Sequence, residues 1–168
     1  MVRGRQNLLY LELPQRLKRA RKHAGLTRMR LSLLAGLGNH AVSRIEDEQR
    51  MPTIDTVELL ARALGVTPSW LAVGLDAGSS CEAESACAAV GARLRQVHCE
   101  RGHTVRGLGA LAGVSGAAVS AIENKPHMPS LATIEKLAKA LYVSPAWLAF
   151  GPAATEAQTM SVPLPVGR

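Results

Sequence analysis

Aromatic side chains are nearly missing from this chain: two Trp, two Tyr and one Phe in 168 residues. Sheets favour aromatic and β-branched side chains, so this scarcity, beside abundant Ala and Leu, points to small closely packed helices and away from a β-sandwich. Cysteine is scarce too. Cys81, Cys87 and Cys99 form an odd set without a C-x-x-C pair, which argues against a disulfide framework and for a reducing compartment. With His98 and His103 they fall within 23 positions, where a metal or redox site is conceivable. The spacing matches no zinc pattern, and free thiols or small buried apolar side chains explain it as well, so neither metal nor cofactor is expected. No apolar run approaches membrane-spanning length. Residues 8–13, the one apolar stretch near the start, are short and hold Glu12, unlike a signal peptide. The expectation is a cytoplasmic protein without membrane contact. No nucleophile–base set, phosphate loop or carboxylate pair stands out, so no enzyme is expected.

Acidic charge is short in one half only. Residues 1–75 hold 12 Lys/Arg against 6 Asp/Glu, whereas residues 76–168 hold 8 against 7. A basic first half suits an anionic partner, nucleic acid being the commonest, although a soluble surface can also be basic.

A repeat is what the chain does have. Residues 31–46 read L-S-L-L-A-G-L-G-N-H-A-V-S-R-I-E, and residues 108–123, shifted by 77 positions, read L-G-A-L-A-G-V-S-G-A-A-V-S-A-I-E. The register holds without a gap from Arg16 to Gly74. Arg93-Leu94 matches Arg16-Leu17, Met128-Pro129 matches Met51-Pro52, and Trp147-Leu148 matches Trp70-Leu71. Such self-similarity indicates one fold used twice. The division expected is an N-terminal arm (1–12), a first domain (13–75), a linker or helix extension (76–90), a second domain (91–151) and a flexible tail (152–168). In the arm, Arg3 and Arg5 can follow a DNA backbone and Leu8, Leu9, Tyr10 and Leu11 can pack on a domain or a second subunit. A disordered start fits equally.

The spacing predicts five helices per unit. Pro14 opens the first, with Leu17, Ala20 and Ala24 on its buried face and a run of cations from Arg16 to His23 elsewhere. Thr27 caps a second helix over 28–35, with Leu31, Leu34 and Ala35 inward. Gly36-Leu37-Gly38 makes a turn. A third helix over 39–46 turns Val42 and Ile45 inward and leaves Asn39, His40, Ser43 and Arg44 facing out. Thr53 starts a fourth helix with a stripe of Ile54, Val57, Leu60, Ala61 and Leu64. Thr67-Pro68 caps a short fifth, where Trp70 and Leu71 complete the core rather than stack on bases.

Each unit resembles the Cro/phage-repressor-like helix-turn-helix family of the XRE type. The shared pattern is T-x-x-x-L-x-x-L-A-G-(L/V)-(G/S)-x-x-A-V-S-x-I-E, then M-P-(T/S), then L-A-x-A-L-x-V-(T/S)-P-x-W-L, across about 120 residues in two blocks. The resemblance implies an all-α chain of two tandem five-helix, lambda-repressor-like domains, with the third helix lying in the DNA major groove. It implies base reading by Asn39, His40, Ser43 and Arg44. Asn can bond adenine and Arg guanine through two hydrogen bonds, while His and Ser each offer one. It also implies phosphate contacts from Thr27 and from Arg28, which stands where relatives often carry Gln, with Arg30 and Arg50 as further candidates. A solvated helix face would show the same residue types.

The second copy departs at the reading positions. Gly116, Ala117 and Ala121 replace Asn39, His40 and Arg44, and only Ser120 remains; Val105 replaces Arg28. Leu108, Leu111, Val119, Ile122, Leu137, Leu141 and Trp147 keep core positions. Its small, smooth third helix suits protein contact, such as dimerisation. Close approach to a DNA backbone or thymine methyls is the alternative. The function expected is a sequence-specific transcriptional regulator, a repressor, acting on double-stranded DNA as a homodimer joined through the second domain. One chain spanning adjacent sites and an antitoxin-like or scaffold module are the competing readings.

Overall fold

The computed structural model describes residues 10, 12–48, 50–74, 86–124 and 128–151, without the side chains of residues 86–88. Most of the expected arm (1–9 and 11), Cys81, the Cys87 side chain and the tail (152–168) lie outside the described residues.

Among them stand ten helices and no strand. Helices α1 (Leu13–His23), α2 (Arg28–Leu34), α3 (Ala41–Glu46), α4 (Ile54–Leu64) and α5 (Pro68–Val73) are followed by their counterparts. These are α6 (Ala86–Glu100), α7 (Val105–Ala112), α8 (Gly116–Asn124), α9 (Leu131–Ala140) and α10 (Pro145–Phe150). The cores match in register. Leu17, Leu31, Val42, Ile54, Leu60 and Leu71 are buried, as are the residues 77 positions on from each. Local chemistry repeats as well. Thr27 Oγ1 accepts from the Arg30 amide at 3.1 Å, and Thr104 Oγ1 from the Gly107 amide at 3.0 Å. These caps satisfy amides that a helix start leaves open. Gly36 and Gly113 hold φ of 67° and 64° in the turns, a left-handed conformation that glycine adopts without strain. α7 and α8 bend through 118° at their break.

Three sequence expectations need correction. Leu34 and Leu111 were expected inward, yet they are 53% and 62% exposed. At about 100° per residue, Leu31, Ser32 and Ala35 span the buried face of α2 and Leu34 falls outside it. Ala24 is exposed because it is the C-cap of α1, beyond the core. The third helix begins at Ala41, not Asn39, and His40 is an N-cap without a side-chain bond. In the second unit Ser115 Oγ accepts from the Ala118 amide at 3.1 Å, and α8 starts two register positions earlier. Gly38 occupies the Ser115 position and has no side chain with which to cap.

The two units meet through equivalent residues. Thr53 and Ser130, 77 positions apart, form an isolated antiparallel bridge. The Ile54 amide donates to Pro129 O at 3.3 Å, and the Leu131 amide donates to Pro52 O at 3.2 Å, which is the same bond made in reverse. The equivalent helices α5 and α10 also touch. Reciprocal contact between equivalents defines a two-fold relation, so the chain carries an internal pseudo-dyad beside Thr53 and Ser130. Tyr10 is fully buried, and burial, then the nearby Glu135 of α9, pushes its phenol above the ordinary value.

Candidate nucleic-acid interface

The second and third helices of the first unit are locked at a buried carboxylate. The Glu46 side chain, at the end of α3, has no exposed surface. Arg21 of α1 grips it with both arms, Nε to Oε1 at 2.7 Å and Nη2 to Oε2 at 2.9 Å. Arg28 of α2 adds Nε to Oε2 at 2.9 Å and reaches on to Asp47 at 2.8 Å. Burial alone would raise the Glu46 carboxyl, but the bonds from Arg21 and Arg28 outweigh it and hold the group below its usual range. The bond to Glu46 likewise raises the Arg21 guanidinium. A second brace comes from Ser32, whose Oγ accepts from the Val42 amide at 3.3 Å. Together these fix α3 against α1 and α2.

On this braced helix the expected base readers are presented together. Asn39 and His40 stand at its entry, and Arg44 one turn later; all three are exposed, and none of their side chains makes a hydrogen bond or ion pair among the described residues. Ser43 is half-buried between them. Thr27, Arg30 and Arg50 are exposed nearby in the chain. The Thr27 oxygen is used as a cap, and its hydroxyl proton remains available as a donor. Arg50 is tied to the end of α3 through its amide, which donates to Arg44 O at 3.1 Å. Arg28 differs from the other phosphate candidates, since its guanidinium is already paired with Glu46 and Asp47.

Sequence reasoning put Arg16 and Arg21 among surface cations, and both are buried. Arg16 donates to Leu71 O at 3.1 Å and to Ala72 O, closing the carbonyl end of α5. Arg93 does the same in the second unit, to Leu148 O at 3.0 Å and Ala149 O at 2.7 Å. For Arg16 the signal was in the repeat, because Arg recurs at 93, as Glu46 recurs at 123; Arg21 has no such signal, because His98 stands at its position.

The second unit has a different lock. His98 stands at the Arg21 position and Val105 at the Arg28 position. Glu123 Oε1 lies 2.8 Å from His98 Nε2 without hydrogen-bond alignment, and Arg95 is 3.9 Å away. Gly109 replaces Ser32, and a Cβ there would meet Val114 O at 2.8 Å, so α7 and its following turn leave no room for a side chain. Among the described residues no group of three His, Cys, Asp or Glu could hold a metal ion. No single helix there is long and apolar enough to cross a membrane.

Paired short helices across a glycine turn in each unit, bent by 118° in the second and exposing polar side chains in the first, define a tandem helix-turn-helix protein. A helix-turn-helix family model matches the chain twice, over residues 17–71 and 92–148, which is more than half its length. The chain belongs to this XRE/Cro-like helix-turn-helix family, in two tandem copies, and is a DNA-binding regulator of that type. No curated protein matches it.

Proposed function

We propose that the chain is a transcriptional repressor that reads operator DNA in the major groove with α3 and the two residues before it. Asn39, His40, Ser43 and Arg44 contact base edges. Thr27, Arg30 and Arg50 contact phosphates, and Arg28 chiefly braces α2 on α3 while adding positive charge beside the backbone. The observation that carries this reading is the contrast at α3: its anchor, Glu46, is saturated by intramolecular bonds, whereas Asn39, His40 and Arg44 are exposed and unpartnered among the described residues. A rigid frame that leaves hydrogen-bonding groups unused is what base reading requires. The domain boundaries expected from sequence give the reader residues 13–75 and the auxiliary unit residues 91–151. The experiment is selection of duplexes from a random pool, followed by binding assays with Asn39→Ala and Arg44→Ala. Loss of preference for the selected sequence is expected; two variants that keep it would remove α3 as the reader.

The antitoxin-like or scaffold reading has one observation in its favour. Met29, Leu33 and Leu34 are each more than half exposed on α2. A stable protein partner that co-purifies, with no affinity for DNA, would select that reading. A homodimer joined through the second unit is the other arrangement, and the internal dyad competes with it.

A further inference from the structure

The pseudo-dyad does within one chain what a two-fold axis does between subunits. The reciprocal pair Ile54–Pro129 and Leu131–Pro52 uses the same register positions from each unit, and α5 meets α10 beside it. A rotation about an axis leaves height along that axis unchanged, so α3 and α8 stand at the same level. Duplex DNA has local dyads of its own, and in helix-turn-helix dimers the recognition helices related by a two-fold axis lie in successive major-groove faces of one duplex.

Covalent reach limits their separation. Arg44 is joined to Arg50 by a 3.1 Å backbone bond, and Arg50 is three residues from Thr53. That places Arg44 within about 17 Å of the bridge. In the second unit three helical steps and six chain steps connect Ala121 to Ser130, at most about 26 Å. Adding about 5 Å across the bridge, α3 and α8 lie less than about 50 Å apart. One helical turn of DNA, about 34–36 Å, is within that reach, whereas two turns are not.

What each helix can do there differs. Arg44 and the residues Asn39 and His40 offer donors and acceptors. Gly116, Ala117 and Ala121 at the same positions offer none. We infer that a single chain engages one duplex with both units, α3 reading a specified half-site and α8 occupying the major groove one turn away without reading its hydrogen-bond pattern. This inference rests on the DNA-reading role proposed for α3. The operator is therefore asymmetric, with one half defined by sequence and the other tolerant, and no second copy is needed to complete the site.

The test combines the mass of the complex, a hydroxyl-radical footprint and a graft, on a duplex of about 30 base pairs carrying a selected site. The expected result is one chain per duplex and two protected patches about ten base pairs apart. Base changes in one patch should weaken binding roughly 10-fold or more, and in the other less than about 3-fold. Gly116→Asn, Ala117→His and Ala121→Arg together should then make the tolerant half selective, turning the preferred site into a pseudo-palindrome. At Gly116 a Cβ meets its nearest neighbour, Arg106 Cα, at 3.4 Å, which is ordinary contact, and Ala117 is exposed. Two chains per duplex, a single protected patch, or a wild-type preference for palindromes would overturn the inference while leaving α3 as a reader. A folded graft, by circular dichroism, that stays tolerant would also overturn it. Absence of any selected duplex would remove the DNA-reading role itself.

Discussion

At register 46/123 both units bury a glutamate at the end of the third helix, but they surround it differently. Glu46 is held by two guanidinium groups that stay charged at any ordinary pH. Glu123 faces one imidazole and a distant, half-exposed arginine. Two to seven positions earlier, on the third helix and at its entry, Asn39, His40 and Arg44 give way to Gly116, Ala117 and Ala121. The stronger frame thus coincides with the helix that presents hydrogen-bonding groups. Meanwhile the apolar core, the Thr27 and Thr104 caps and the Arg16 and Arg93 braces are kept in both. Packing requirements are shared by the two units, whereas a double guanidinium lock beside exposed hydrogen-bonding groups is confined to one.

The sharpest way to break this comparison is at the two glutamates. Glu46→Gln leaves the buried Arg21 without its anion, while Arg28 keeps Asp47, and a loss of about 3–5 kcal/mol is expected in urea unfolding of the first unit. Glu123→Gln should cost less than half as much, because His98 Nε2 makes no aligned hydrogen bond to that carboxylate and the half-exposed Arg95 can turn to water. Equal losses would contradict the distinction between the locks. The acid response separates them further. The Glu46 carboxyl is depressed in the folded chain, so its contribution is fully present above the unfolded value near 4.5 and is lost as pH falls through the lower folded value. Glu46→Gln should therefore flatten the stability profile in that acid window.

Next in size are the braces that the units share. Arg16→Ala and Arg93→Ala each remove charged donors from two carbonyls at the end of a fifth helix, and each should destabilise by about 1.5–3 kcal/mol in thermal unfolding. Here the prediction is similarity, and a large difference would show that the frames are not equivalent. Smaller still is the phosphate term. Arg30→Ala should weaken binding to all sequences alike and lower the slope of log affinity against log salt by about one. A loss restricted to the selected site would make Arg30 a reader of bases.

Much of the fold was legible because the repeat doubles every signal. The caps, the turn glycines and most of the core follow from residue type and period at two registers, and the helix-turn-helix pattern follows with them. The proposed readers Asn39, His40, Ser43 and Arg44 could be picked as the outward positions of the expected third helix, although Asn39 and His40 precede the helix itself. Long-range pairing was not legible. Nothing local distinguishes Arg21, which is buried against Glu46, from Lys22, which is exposed. The late start of α3 depends on a missing hydroxyl at Gly38, visible only beside Ser115. The pseudo-dyad depends on contacts between residues 77 positions apart, which no period encodes. Leu34 and Leu111 misled because a seven- or eight-residue helix has room for one narrow buried face, and Ser32 and Gly109 hold part of it.

The most direct measurement of the central claim is random-pool duplex selection with the wild-type chain and with the Asn39→Ala/Arg44→Ala double variant, read by sequencing. The account predicts that the wild type enriches one defined half-site beside a tolerant one and that the double variant enriches none. Recovery of the same sequence by both proteins would contradict it.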